Sequence, residues 1–328
     1  MSTAHTPPPA PQAPSRLLHF PISFFAVVMG LAGFSIAWSR AGTILHLPPA
    51  IGGALGWLAM TAFALIALTY LAKLVVYPRE VLKEFRHPIR INFFPAASIG
   101  LILLSIVELE AAPSLALAMW LVGTALQFVL TLVAMNRWIH HPGIEMVHVN
   151  PAWFIPVVGN ILVPVVGVHF FPPEVSWFFF SIGLVLWPVL LTIVLNRLFF
   201  HAPLPARLTP TLFILVAPPA LACVAYVNLT GQVDGLAHVL YSAALFFTLL
   251  LSTSALRFLR TPFFLSAWAY SFPLAAMTIA TLMMLHRSGG AGYAWIAAVL
   301  LAVLSLVVVL LLVRTGIAMA RREVCVEE

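Results

Sequence analysis

Four side chains that could bind a metal ion lie within nine residues of one another. They are His140, His141, Glu145 and His148. Imidazole nitrogens and carboxylate oxygens are common zinc ligands, but this spacing matches no standard zinc framework. Pro142 and Gly143 between them indicate a turn. We therefore predict that the protein binds no metal ion and no other cofactor.

Motifs of two common hydrolase classes are missing from the sequence. It contains neither the HExxH pair of zinc proteases nor the GxSxG segment that presents a nucleophilic serine. A zinc-activated water and a serine nucleophile therefore lack their usual support. We predict that the protein is not an enzyme.

The chain is poor in charge and rich in apolar residues. Of its 328 residues, 62% are hydrophobic and 8% are charged, against roughly 25% charged residues in an average soluble domain. So few charges cannot cover the surface of a soluble globule of this size. The apolar runs are long and unbroken, unlike the alternating segments of a membrane β-barrel. The composition therefore predicts an all-α polytopic membrane protein.

Ten apolar segments are long enough to cross a bilayer as helices, which takes about 20 residues each. They cover residues 20–38, 50–72, 91–107, 114–135, 153–170, 175–195, 211–229, 236–255, 263–285 and 293–313. Five prolines among the first 19 residues predict a disordered cytoplasmic tail at 1–19. Residues 20–315 then form the transmembrane domain, and 316–328 form a short cytoplasmic tail.

Basic residues are distributed unequally between the two sides of these segments. Fourteen of the 16 lysines and arginines fall on the side of the termini, which leaves Arg40 and Arg287 on the other side. The positive-inside rule then places both termini in the cytoplasm and the protein in the inner (plasma) membrane. The densest basic patch is a predicted cytoplasmic vestibule of Lys83, Arg86, His87 and Arg90. It could concentrate anions or contact anionic lipid, and the two roles are compatible.

No aspartate, glutamate, lysine or arginine lies deep inside a predicted span. Proton-coupled transporters usually depend on buried carboxylates or histidines. The lack of charge therefore favours a passive pathway, either a channel or a uniporter. It does not exclude an anion exchanger, so a secondary transporter remains the alternative.

Prolines mark every odd-numbered span. They are Pro21, Pro95, Pro156, Pro164, Pro218, Pro219 and Pro273, whereas Pro188 is the one proline inside an even-numbered span. This pattern indicates one helical hairpin repeated five times. A proline frees a backbone carbonyl, which needs a partner away from lipid. We therefore expect bent odd helices in an inner ring and even helices, rich in Leu, Val and Ala, in an outer ring.

Five short motifs, one in or beside each odd span, resemble those of a known family. The sequence reads FPI at 20–22, HPIRINFF at 87–94, NPAW at 150–153, APP at 217–219 and WAYSFP at 268–273. In this order the motifs resemble the family of the bacterial tellurite-resistance protein TehA, the plant guard-cell slow anion channels, and the fungal dicarboxylate and sulfite exporters. The resemblance covers about residues 20–315.

The resemblance implies five hairpins in a pseudo-five-fold ring around a central pore, and trimers with one pore per subunit. Candidates for pore-lining or kink positions are Pro21, Phe25, Ala26, Gly30, Pro95, Pro156, Gly159, Asn160, Pro218, Pro219, Ser271 and Pro273. The family also implies a phenylalanine on the ninth helix that plugs the pore at mid-membrane. Phe272 occupies the matching position. Relatives often have glycine where this chain has Ala26, whose methyl group could narrow the pore.

These observations together predict a gated passive channel for monovalent anions such as chloride or nitrate. The alternative is a secondary transporter or exporter of C4-dicarboxylates or of oxyanions such as tellurite or sulfite. The expected partners are inorganic or small organic anions, the lipid bilayer and further copies of the chain in a homotrimer. Nucleic acid is not an expected partner.

Overall fold

The computed structural model describes residues 15–325, in which every regular element is helical. Residues 1–14, which hold most of the predicted proline-rich tail, and residues 326–328 lie outside the described range. Within that range, ten helices are long and apolar enough to cross a membrane. Each overlaps one predicted span, so the prediction of an all-α protein with ten spanning helices is confirmed.

The ten spanning helices are numbered α1 to α10 in chain order. Their bounds are Ile22–Leu45, Pro49–Val76, Arg90–Val107, Pro113–His140, Pro151–Phe170, Pro173–Phe200, Ala206–Thr230, Gly235–Ser252, Leu265–Ser288 and Ala291–Ala320. Two short helices, Pro78–Arg86 and Ala255–Arg260, follow α2 and α8, and a single turn, Met146–His148, follows α4. The face on which α1 begins and α10 ends is called the terminal face.

Several even-numbered helices run past their predicted ends on the terminal face. Lys73, Arg137 and Arg197 lie in the last turns of α2, α4 and α6. A basic side chain in the last turn interacts favourably with the helix dipole, so these turns stay helical although they leave the apolar run. α10 likewise continues to Ala320, beyond the predicted end at 313.

The odd-numbered helices form an inner layer. α1 contacts α3, α3 contacts α5, α5 contacts α7, α7 contacts α9, and α9 contacts α1 again. Each even helix packs against the odd helix that precedes it. The buried fraction differs between the two sets of helices. In the apolar stretch of each odd helix 67–94% of the residues are buried, and in that of each even helix 17–39% are buried. The even helices are therefore the ones that face lipid.

Each inner helix begins as a 3-10 segment and then becomes α-helical. These segments are Ile22–Phe24, Arg90–Phe93, Pro151–Trp153, Ala206–Leu215 and Leu265–Tyr270. Pro95, Pro218 and Pro273 lie in the first turn of the α-helical part that follows. A proline there removes no intrahelical hydrogen bond, because first-turn N–H groups have no helical partner. These prolines thus mark a change of helix type and not a bend within an α-helix.

α5 is the exception, because its irregularity lies inside the span. The α-helical piece Phe154–Val158, which contains Pro156, is followed by a second 3-10 segment, Gly159–Leu162. The helix then resumes as Val163–Phe170. α5 is also the most buried span, which is where a break in regular hydrogen bonding can be tolerated in a membrane.

α1 and α9 approach each other closely at Gly30. A Cβ atom built on Gly30 would lie 2.1 Å from Ser271 Oγ and 2.9 Å from Cε3 of the Trp268 ring. Ser271 Oγ is itself fixed by a 2.7 Å hydrogen bond to the carbonyl oxygen of Trp268. Glycine is therefore needed at position 30 for the two inner helices to pack at this distance.

We expect Gly30→Ala to destabilise the protein. Alanine favours a helix by roughly 0.5–1 kcal/mol over glycine, but a methyl group forced into this contact should cost about 1–3 kcal/mol. Gly53→Ala in α2 is the matched control, because nothing lies within 4 Å of its Cβ position. Thermal unfolding in detergent measures both. Equal melting temperatures for the two variants would contradict the close contact.

Candidate functional site

A small cavity of about 50 Å³ lies where the five inner helices meet. This central cavity is defined by Ala26 of α1, Phe93 of α3, Phe154 and Gly159 of α5, Leu221 of α7 and Phe272 of α9. No charged side chain lines it. A narrow apolar passage of this kind excludes water and so raises the barrier to ions.

Phe272 is the second residue of the α-helical part of α9, Ser271–Ser288. Its side chain is 7% exposed. A Cβ atom on Gly33 would lie 3.2 Å from Cδ2 of the Phe272 ring, so the ring rests on the part of α1 that has no side chain. The ring therefore lies between α1 and the central cavity.

Two further phenylalanines, Phe93 and Phe154, line the central cavity with Phe272. The sequence reasoning missed both. Phe93 and Phe154 each precede a proline by two residues, and Phe272 precedes Pro273 directly. A phenylalanine just before the proline of an odd span is the signal that could have found them.

The residues predicted as gate, pore-lining or kink positions fall into two groups, apart from Pro21, which is described below. Ala26, Gly159, Phe272 and Pro273 line the central cavity. Phe25, Gly30, Pro95, Pro156, Asn160, Pro218, Pro219 and Ser271 are buried between the helices and do not line it. Phe25, for example, packs against the rings of Phe63 and Tyr70 in α2.

Buried hydrogen bonds support the break in α5. Gln127 Nε2 and Thr131 Oγ1, both on α4, donate to the carbonyl oxygen of Pro156 at 2.8 and 2.6 Å. Asn160 Nδ2 donates to Thr131 Oγ1 at 2.9 Å. These donors satisfy backbone that lipid could not. Gly159 is required beside them, because a Cβ atom there would lie 2.4 Å from Gln127 Nε2.

A second cavity, of about 360 Å³, lies at the terminal face. This terminal cavity is defined by Pro21, Glu84, His87, Arg90 and Arg207. Pro21, a predicted pore or kink residue, therefore lies at the mouth and not in the central cavity. Arg207, in the first turn of α7, was missed by the sequence reasoning, although it stands alone before an apolar run as Arg90 does.

The predicted basic vestibule is divided by the structure. His87 and Arg90 line the terminal cavity, whereas Lys83 and Arg86 do not. Lys83 forms an exposed ion pair with Glu80, with 2.6 Å between Nζ and Oε1. Arg86 lines a separate groove beside Arg137. The division follows the elements, because Lys83 and Arg86 lie on the short helix Pro78–Arg86, whereas His87 follows its end and Arg90 begins α3.

The histidine-rich segment between α4 and α5 has local hydrogen bonds. His148 Nδ1 accepts from the backbone N–H of Glu145, and His141 Nδ1 accepts from that of Gly143, both at 3.1 Å. Among residues 15–325, no three His, Cys, Asp or Glu side chains are grouped as metal ligands would be. These imidazoles therefore serve the turn in this structure.

Residues 19–316 match the family model described as SLAC1: Voltage-dependent anion channel. The chain belongs to the SLAC1 family. The match includes all ten spanning helices except the last residues of α10, so it contains every residue that lines the central cavity and most of those that line the terminal cavity.

Relatives within the SLAC1 family include plant and bacterial proteins. The S-type anion channel SLAH3 of Arabidopsis thaliana is 31% identical over 306 residues, which cover 91% of this chain and 48% of the relative. SLAH2 of the same plant is 30% identical over 273 residues, which cover 81% and 53%. The tellurite resistance protein TehA homolog of Haemophilus influenzae is 25% identical over 275 residues, which cover 81% of each chain. The chain spans about half the length of these plant relatives.

In this SLAC1-family chain, a buried ion pair fixes the start of α1. Lys73 Nζ lies 3.0 Å from Glu84 Oε2 and donates to the carbonyl oxygen of Phe20 at 2.7 Å. Glu84 Oε1 accepts from the backbone N–H of Ile22 at 2.8 Å, and Oε2 accepts from the Tyr70 hydroxyl at 3.0 Å. The pair therefore joins α1, α2 and the short helix after α2 beside the terminal cavity.

We expect Glu84→Gln to destabilise this SLAC1-family protein by about 3–5 kcal/mol, because it leaves the Lys73 charge buried without its partner. The side chains of Lys73 and Glu84 are only 5% and 3% exposed. The double variant Lys73→Met/Glu84→Gln should recover part of the loss, since it removes both charges.

Glu80→Gln is the matched control for Glu84→Gln, because it breaks the exposed Lys83–Glu80 pair on the same short helix. That change should alter stability by less than about 1 kcal/mol. Thermal unfolding of the three variants in detergent measures the effects. If the Glu84→Gln and Glu80→Gln variants had the same melting temperature, the ion pair would not fix the start of α1.

Proposed function

We propose that this protein is a gated, passive anion channel. The observation that carries the proposal is the central cavity. Five inner helices surround it, and the Phe272 ring forms part of its apolar wall. Membership of the SLAC1 family supports it, as does the name of the plant relatives, S-type anion channels. The lining residues offer no titratable group that could couple transport to a proton.

Phe272 is the proposed gate. A phenyl ring across a narrow apolar passage keeps the passage dry, and a dry passage stops ions. Phe93 and Phe154 would extend the same apolar constriction from α3 and α5. A change in the rotamer of Phe272 would widen the passage. The methyl group of Ala26 in α1, which also lines the cavity, would make the passage narrower than a glycine would.

Selection for anions is proposed to begin at the terminal cavity. His87, Arg90 and Arg207 line it, and a cleft with positive charge raises the local concentration of anions. All five inner helices begin at the terminal face, so the positive ends of their dipoles point toward this mouth. Beyond it the wall is apolar, which favours weakly hydrated monovalent anions such as chloride or nitrate.

The remaining assignments rest on charge distribution and family. We propose that the terminal face is cytoplasmic and that the protein is a multi-pass protein of the plasma membrane, because 14 of 16 basic residues lie on that side. The homotrimer implied by the resemblance is also proposed. The exposed apolar faces of the even helices would supply both the lipid contact and the contact between copies.

We expect Phe272→Ala to raise anion flux into proteoliposomes by about tenfold, which corresponds to a barrier lowered by about 1.4 kcal/mol. Phe246→Ala is the matched control, because Phe246 is 59% exposed on the lipid side of α8. Chloride efflux measured with an ion-sensitive dye reports the change. If the Phe272→Ala protein unfolded at the normal temperature and its anion flux were unchanged, Phe272 would not be the gate.

We also expect anion uptake to need no pH gradient, because the central cavity has no ionisable lining. Flux should be the same with equal or unequal pH across the membrane and should follow the anion gradient. Reversal potentials with chloride, nitrate and a C4-dicarboxylate measure selectivity. Strict dependence on a pH gradient would favour the secondary transporter or exporter, and cation selectivity would exclude an anion channel.

A further inference from the structure

The groove beside Arg137 lies on the outer side of the protein, at the terminal face. It has a volume of about 710 Å³ and runs between the end of α4 and the short helix Pro78–Arg86. This α4 groove is defined by Arg86, Leu132, Asn136, Arg137, His140 and His141. These residues line neither the central cavity nor the terminal cavity, so the α4 groove is separate from the proposed path of the anion.

One face of α4 changes from apolar to polar along the groove. Leu132, Asn136 and His140 follow one another at intervals of four residues, so their side chains lie on the same face of the helix. They cover about 12 Å along the helix axis. Leu132 is 54% exposed, as a lipid-facing side chain would be, whereas Arg137 and His140 belong to the last turn. The groove is therefore apolar at one end and basic at the other.

The two guanidinium groups of the α4 groove repel each other. The positive charge of Arg86 acts unfavourably on that of Arg137, and among the described residues neither forms an ion pair with a carboxylate. The acidic side chains of the short helix, Glu80 and Glu84, are paired with lysines. Glu145, in the loop after α4, accepts a hydrogen bond within its own turn. An anion bound between the two arginines would relieve the repulsion.

Hydrogen-bond donors in the groove are held in place. Arg137 Nη1 donates to the carbonyl oxygen of Phe85 at 3.4 Å, and Nη2 donates to that of Arg86. A guanidinium group has five N–H groups, so three remain for a ligand. His141 Nδ1 accepts from the backbone N–H of Gly143, which places the proton of the neutral ring on Nε2 as a further donor.

We propose that the α4 groove binds an anionic phospholipid, with its phosphate at Arg86 and Arg137 and an acyl chain along Leu132. Arginine binds phosphate through paired hydrogen bonds, and basic pockets beside transmembrane helices bind anionic lipid headgroups. A soluble anion could use the arginines, but it would gain nothing from the apolar end of the groove. The site does not depend on the proposed channel function.

A bound lipid would hold the short helix Pro78–Arg86 against α4. Arg137 already joins the two elements through backbone carbonyl oxygens. The same short helix carries Glu84, which accepts from the backbone N–H of Ile22 at the start of α1. Because the ligand binds the folded state, it should raise the melting temperature of the protein.

Native mass spectrometry of the full-length protein tests the binding. In micelles that contain phosphatidylglycerol or phosphatidylcholine, the protein should retain the anionic lipid preferentially. Arg86→Gln should weaken retention of phosphatidylglycerol about fivefold, the loss expected for one arginine near an anionic lipid. Thermal unfolding without added lipid should be unchanged, because the Arg86 side chain is exposed and its backbone carbonyl remains. Higher salt should also weaken retention.

Lys83→Gln is the matched control for Arg86→Gln, because it removes one positive charge from the same short helix. Lys83 does not line the α4 groove, and its side chain is 72% exposed. This variant should retain phosphatidylglycerol as the parent protein does. If Arg86→Gln and Lys83→Gln retained the lipid equally well, the groove would not be the binding site and the proposal would be wrong.

Inorganic phosphate distinguishes a lipid site from a site for free anions. Phosphatidylglycerol should raise the melting temperature of the parent protein in detergent, and inorganic phosphate at equal ionic strength should not. Stabilisation by phosphate alone that Arg86→Gln abolished would show a site for free anions and overturn the lipid assignment. An absence of anion flux in proteoliposomes would contradict the channel function only, since lipid retention is measured without transport.

Discussion

Backbone polar groups in a bilayer must find partners within the protein, and this requirement orders the whole molecule. The inner helices contain 3-10 segments, and α5 also contains Pro156 within its span, so some of their carbonyls lack regular α-helical partners. Such helices are tolerated only where other helices cover them. The regular, proline-poor even helices need no such cover and can face lipid. The two layers thus follow from hydrogen bonding as much as from hydrophobicity.

α5 demonstrates the requirement most clearly. Its change of helix type at Gly159 would be costly in lipid, and Gln127 and Thr131 of the neighbouring outer helix α4 donate to the carbonyl oxygen of Pro156, three residues before it. Because these donors lie behind Gly159, the wall of the central cavity stays apolar although polar groups are close. The protein keeps an irregular helix next to a dry passage by placing the polar atoms on the far side of a glycine.

The sequence was sufficient for the ten helices, because apolar runs and basic loops are local features. It also singled out Phe272, Ala26 and Gly159, which do line the central cavity. It assigned Lys83 and Arg86 to the same vestibule as Arg90, although the first two lie on the short helix Pro78–Arg86 and Arg90 begins α3. The Lys73–Glu84 pair could not be found from spacing, because its partners on α1 are backbone atoms of residues 20 and 22. Contacts of this kind depend on tertiary packing.

Two barriers of different physical kinds stand in series along the proposed path. The barrier at Phe272 is one of dehydration, so it is local and insensitive to charges many ångströms away. The proposed barrier at the terminal cavity is electrostatic, so it depends on ionic strength and on the balance between the charged groups that line the cavity, among them Arg90, Arg207 and Glu323. Because the first barrier is set by aromatic rings and the second by charges, each can be altered without changing the other. The proposed channel can therefore tune its mouth while its proposed gate stays in place through the packing of α9 on α1.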